Sequence, residues 1–109
     1  MKTFPPSVDH YERLIQELKD PIEAAAYLDA AMEEKDLRLF LFALQHVIEA
    51  QGGITKFSRK TKLGRVSIYK MLSKKGNPGF MNVLALLSCA GITLRAVPKK
   101  IDRRQKTKD

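Results

Sequence analysis

The sequence predicts an all-α fold: a compact helical domain built around a helix-turn-helix. Three observations lead there. Apolar residues recur at steps of three and four through most of the chain. Aspartate, proline and glycine stand at the ends of those runs, where helices start and stop. Residues 54–73 carry the packing pattern of two short helices joined by a tight turn. The chain has 109 residues and a mass of 12.3 kDa. That is enough for one domain with one hydrophobic core.

Pro5-Pro6 blocks helix, so residues 1–7 read as an N-terminal loop. The helical domain is expected over 8–98. A first helix runs from about Val8 to Lys19, with Val8, Tyr11, Leu14, Ile15 and Leu18 on one face. Asp20-Pro21 restarts the chain: aspartate caps free amides and proline suits the first helical position. Ile22, Ala25, Ala26, Leu28 and Met32 define a second, alanine-rich helix ending near Glu34. Its alanines suit close packing within the domain or, alternatively, a close helix–helix dimer or toxin contact, with internal packing favoured. Together these two helices form an N-terminal helical extension.

Asp36 caps a third helix, in which Leu37, Phe40, Leu41, Leu44, Val47 and Ile48 hold helical spacing. It is the most periodic segment and should be the central core helix; Gly52-Gly53 ends it. Two short helices follow, at about 55–61 and 65–73. A last helix spans about 79–90, after the turn Gly76-Asn77-Pro78-Gly79. Phe57 and Phe80 are expected in the core, and Cys89 as a buried, inert thiol. After Gly91, the alternation of Ile92, Leu94 and Val97 with polar neighbours allows a short C-terminal strand. Residues 99–109 read as a disordered basic tail.

Charge divides the chain. Residues 1–50 hold five Lys/Arg and ten Asp/Glu, net −5; residues 51–109 hold fifteen and two, net +13. Eight Lys/Arg and no acid lie between Lys56 and Lys75. Such a single-sign field repels itself and suits a polyanion partner. Within 54–73, Ser58 allows close helix crossing, Leu63 points inward from the turn, and Ile68 and Leu72 anchor the second helix. That helix would lie in a major groove of double-stranded DNA. Its outward residues, Arg65, Val66, Tyr69, Lys70 and Ser73, are the candidates for base contact. Thr55, Lys56, Arg59, Lys60, Lys62 and Lys74 are the candidates for phosphate contact.

With those residues in view, the chain resembles the addiction-module antidote proteins of the HigA-like group, which are antitoxins with a Cro/repressor-type helix-turn-helix. The resemblance covers about residues 9–97. It rests on L-K-D-P-I-E-A-A-A-Y-L-D-A-A (18–31), D-L-R-L-F-L-F-A-L (36–44), A-Q-G-G-I-T-K-F-S (50–58) and S-I-Y-K-M-L-S-K-K-G-N-P (67–78). It implies an antitoxin that binds a cognate RelE/ParE-like toxin and represses its own promoter. It also implies a homodimer on paired half-sites. By resemblance and by charge, the acidic N-terminal half would hold a small basic toxin. Two positions depart from the pattern. Lys62 stands where the family's turn has glycine, at a cost on the order of 1 kcal/mol. Gly64 replaces the usual serine or asparagine cap of the recognition helix.

The alternative reading is a free-standing phage- or host-type repressor without a toxin partner. A third is a toxin inhibitor whose helix-turn-helix no longer reads sequence. Catalysis has no support in the residues: there is no glycine-rich phosphate loop, and no nucleophile has a recognisable base partner. One cysteine and two histidines do not suggest a metal site, and no cofactor is implied. No apolar run is long enough to span a membrane, and the N-terminus lacks an apolar signal core. The expected location is the cytoplasm.

Overall fold

Asp20 and Asp36 each cap a helix in the computed structural model, which describes residues 8–99. The Asp20 carboxylate accepts from the Ile22 N–H at 2.9 Å, and that of Asp36 accepts from Arg38 and Leu39. The described elements are α1 (Val8–Glu17), α2 (Pro21–Glu33), α3 (Leu37–Ala50), α4 (Gly53–Thr61), α5 (Arg65–Leu72) and α6 (Phe80–Cys89). The all-α class is as the sequence predicts. The expected N-terminal loop, and the basic tail beyond Lys99, lie outside the described residues.

Helix α3 is the central element and touches α1, α2, α4 and α5. Its Leu44, Val47 and Ile48 are fully buried, together with Leu28, Phe57, Ile68, Leu86 and Leu87. Burying an aliphatic or aromatic side chain of this kind stabilises by about 1.5–3 kcal/mol, so this shared core fixes the helix positions. Gln51, at the end of α3, ties α1 to it. Its side-chain amide donates to the carbonyls of Leu18 (2.9 Å) and Lys19 (3.1 Å), which the end of α1 leaves open.

Three expectations are corrected. Helix α2 buries Ala24, Leu28 and Ala31, whereas Ile22 and Ala26 are exposed and Met32 borders on exposed. A helix apolar on several sides does not fix its own rotation. Alanines facing α3 let the two backbones approach closely, and that selects the buried side. Phe80 is 65 % exposed rather than core. It occupies the first position of α6, where a side chain leans back over the preceding turn and away from the core. Leu37 is likewise exposed at the first position of α3.

The third correction concerns the C-terminal strand. Residues 92–99 form no strand, because the described chain offers no second strand to pair with. The helix stop is as expected: Gly91, at φ +80°, donates to Ser88 O, and the Ile92 N–H reaches back to Leu87 O at 2.9 Å. This is a Schellman cap, which needs a left-handed residue where glycine stands. Cys89, expected to be buried, is only half-buried, at the last position of α6.

Candidate nucleic-acid interface

Helices α4 and α5 are the two short helices joined by a tight turn that the sequence predicts. Phe57, fully buried, fixes α4 to the core; Ile68 and Met71 fix α5. Between them, Leu63 packs inward against the same core. Side chains close the turn. Ser58 Oγ donates to Leu63 O at 2.6 Å. Thr61 Oγ1 donates to Phe57 O at 2.7 Å and accepts from the Leu63 N–H at 3.2 Å. Ser58 therefore acts through a hydrogen bond as well as through its small size.

Lys62 adopts the left-handed conformation, φ 67° and ψ 11°, and its N–H donates to Ser58 O at 2.9 Å. The turn keeps the geometry that favours glycine and places lysine in it, with the side chain exposed. Gly64 is extended, φ −66° and ψ 149°, and stands at the N-cap of α5 without a side-chain cap bond.

At 100° per residue, burying Ile68 and Met71 turns Val66, Tyr69 and Lys70 outward. Val66 is 68 % and Tyr69 58 % exposed, so Tyr69 is not a core residue. Arg65 is exposed at the first position of α5. Ser73 is exposed but occupied: it is the C-cap residue, and its Oγ donates to Lys70 O at 2.8 Å. Ser67, exposed between Val66 and Ile68, was not singled out by the sequence reading. By helical period it lies beside buried Met71, at the edge of this face, and is exposed there.

Thr55, Lys56, Arg59, Lys60, Lys62 and Lys74 are all exposed. Among the described residues, none of the Lys/Arg of 56–75 is ion-paired. The Lys56 stem folds back over Gly52, where an added Cβ would meet its Cδ at 2.4 Å. The sheet of positive charge is thus solvated and unneutralised. It surrounds an exposed helix face of one apolar, one aromatic and several polar residues. Such a surface can hold phosphates by charge while a short helix meets base edges.

On α3, His46 joins three helices. Its ring lies 4.4 Å from that of Phe42, 5.9 Å from that of Tyr11 and 6.0 Å from that of Tyr27. The Tyr27 hydroxyl is hydrogen-bonded to Nδ1 of His46 at 2.8 Å. The Tyr11 hydroxyl donates to the Glu49 carboxylate. Burial lowers the His46 pKa, against a smaller opposing pull from Glu49. Tyr11 is raised by its bond to Glu49, and Tyr27 by burial. Among the described residues there is no cluster of three or more His, Cys, Asp or Glu able to hold a metal ion. No described helix is long and apolar enough to cross a membrane.

Comparison with known proteins adds a family. A model described as probable addiction module antidote protein matches residues 9–98. An uncharacterized protein of Haemophilus influenzae strain Rd is 29% identical over 70 residues, covering 64% of this chain and 71% of that protein. No solved structure matches. A match running from α1 to the segment after α6 spans the whole described domain, and the chain belongs to the family of probable addiction module antidote proteins.

Proposed function

We propose that this protein is a DNA-binding antitoxin. It binds the operator of its own gene as a homodimer and represses transcription. It also holds a cognate RelE/ParE-like toxin. The observation that carries the DNA reading is the unpaired cationic surface of α4 and α5 around the exposed face of α5. Arg65, Val66, Tyr69 and Lys70 are assigned to base edges, with Ser73 at the end of the helix. Thr55, Lys56, Arg59, Lys60, Lys62 and Lys74 are assigned to phosphates.

Membership of an antidote family supports a toxin partner. The net −5 of residues 1–50 favours a small basic one, held away from the DNA. The activity is binding rather than catalysis, it needs no cofactor, and DNA as ligand places it in the cytoplasm. The test is a footprint on DNA upstream of its own gene, with random competitor, at near-physiological salt. A protected pair of two-fold-related half-sites is expected. Binding that is salt-labile and equal on all sequences overturns operator readout. A footprint without any stable toxin complex supports the free-standing repressor instead.

A further inference from the structure

Residues 93–99 carry hydrogen-bonding capacity that the described chain does not use. Ile92 spends its N–H on the α6 cap, and no hydrogen bond among the described residues involves residues 93–99. Burial alternates along the start of this segment. Ile92 and Leu94 are half-buried against the core; Thr93 and Arg95 are exposed. That is the side-chain period of a β-strand. A strand with one face on a core and an open edge is a template for another chain.

The segment borders an apolar groove of about 500 Å³ whose far wall is α2, with Leu28 and Met32 inside and Asp29 and Glu33 at the rim. A second groove of about 270 Å³ continues past Leu94 to Leu37 and Phe80. Exposed Leu37, Phe80 and Val97 therefore lie along one continuous surface.

We propose that residues 92–97 pair antiparallel with the same residues of a second copy of this chain. The product is a two-fold dimer carrying two recognition helices. This rests on the reading above, in which paired half-sites require two such helices. A two-fold axis through Leu94, which pairs 92–96, or through Arg95, which pairs 93–97, places residues of the same parity opposite each other. Ile92 and Leu94 of both copies then stay on the core side.

Charge selects the antiparallel arrangement. It carries Lys99 of each copy to residues 89–91 of the other, at the C-terminal end of α6, where a cation is favoured. A parallel pair would set the basic ends against each other. Two six-residue strands are marginal alone, and the exposed apolar surface beside them supplies further burial.

The test is light scattering on the full chain at about 50 µM, with two double variants. The wild type should weigh twice 12.3 kDa. Thr93→Pro with Arg95→Pro removes two main-chain donors and should halve the mass while leaving the helical dichroism unchanged. Thr93→Ala with Arg95→Ala keeps the donors and should remain dimeric. Amide exchange of residues 93–97 gives a readout that survives if the proline variant fails to fold. These amides should exchange at least tenfold more slowly in the wild-type dimer than after dilution to monomer.

A monomeric wild type, a dimer indifferent to the prolines, or amides that are protected only on adding the toxin each overturn the proposal. A proline-sensitive dimer that gives no operator footprint upholds the strand pairing and overturns the DNA reading instead.

Discussion

Ser58 and Leu63 clasp the turn from α4 to α5: the Ser58 hydroxyl donates to the Leu63 carbonyl at 2.6 Å. The bond is part-buried, so removing the donor leaves an unsatisfied acceptor. Ser58→Ala should cost about 1–3 kcal/mol. For a domain of this size that is a drop of roughly 4–8 °C in Tm per kcal/mol. A thermal melt decides it, and an unchanged Tm would show that the clasp is dispensable.

Lys62 occupies the left-handed region at φ 67°. Lys62→Gly should relieve about 1 kcal/mol of backbone cost and raise Tm. If the lysine also meets a phosphate, the same variant should bind DNA more weakly, with a log–log salt slope shallower by about one unit. Stability and affinity would then move in opposite directions. A rise in Tm with an unaltered salt slope removes Lys62 from the contact set.

Arg65 and Lys60 test the proposed division between sequence reading and phosphate holding. Arg65→Ala should cost about 1–3 kcal/mol on the operator and relax preference at one base pair. Lys60→Ala should weaken all sequences alike. Competition binding against operators varied one base pair at a time measures both. If Arg65→Ala keeps full base preference, α5 sits differently in the groove.

Gly76 follows α5 with no room for a side chain: an added Cβ would lie 2.1 Å from Met71 O. That contact is with backbone, which cannot swing aside. Gly76→Ala should therefore destabilise by about 1–3 kcal/mol through displacement of the α5–α6 turn. Chemical denaturation checks this, and a wild-type midpoint would mean that the turn shifts freely.

His46 makes stability pH-dependent. Burial among Tyr11, Tyr27 and Phe42 lowers its pKa below the ordinary value of 6.5, with Glu49 opposing. The folded state then prefers the neutral ring, so the unfolded chain binds the extra proton. The His46 contribution is present in full above about pH 6.5 and is lost as pH falls through the folded pKa. Urea unfolding at pH 7.5 and pH 5 should show a loss in the wild type that shrinks in His46→Gln. Equal losses in both proteins would place the acid sensitivity elsewhere.

Much of the candidate site is legible in the sequence because its signals are local. The caps at Asp20 and Asp36, the stop at Gly91 and the buried Phe57 and Ile68 each follow from a few neighbouring residues. The outward face of α5 follows from helical period once its buried residues are known. Ser67 is exposed at the edge of that face, which period does not show, since it stands one turn before buried Met71. The bond from Ser58 to Leu63 O was also invisible, since composition shows a small residue but not where its hydroxyl points.

By itself, the sequence determined the helical class, the order of six helices, the tight turn between the fourth and fifth of them and the division of charge. These depend on period, capping chemistry and counts of ionisable groups, which a chain carries before it folds. Tertiary structure alone decided which side of the alanine-rich α2 is buried, that Phe80 faces solvent, and that Lys62 takes the left-handed turn. It also left residues 92–97 unpaired. An apolar helix has no unique inside until a neighbour packs on it, and an alternating segment becomes a strand only when another strand supplies its hydrogen bonds.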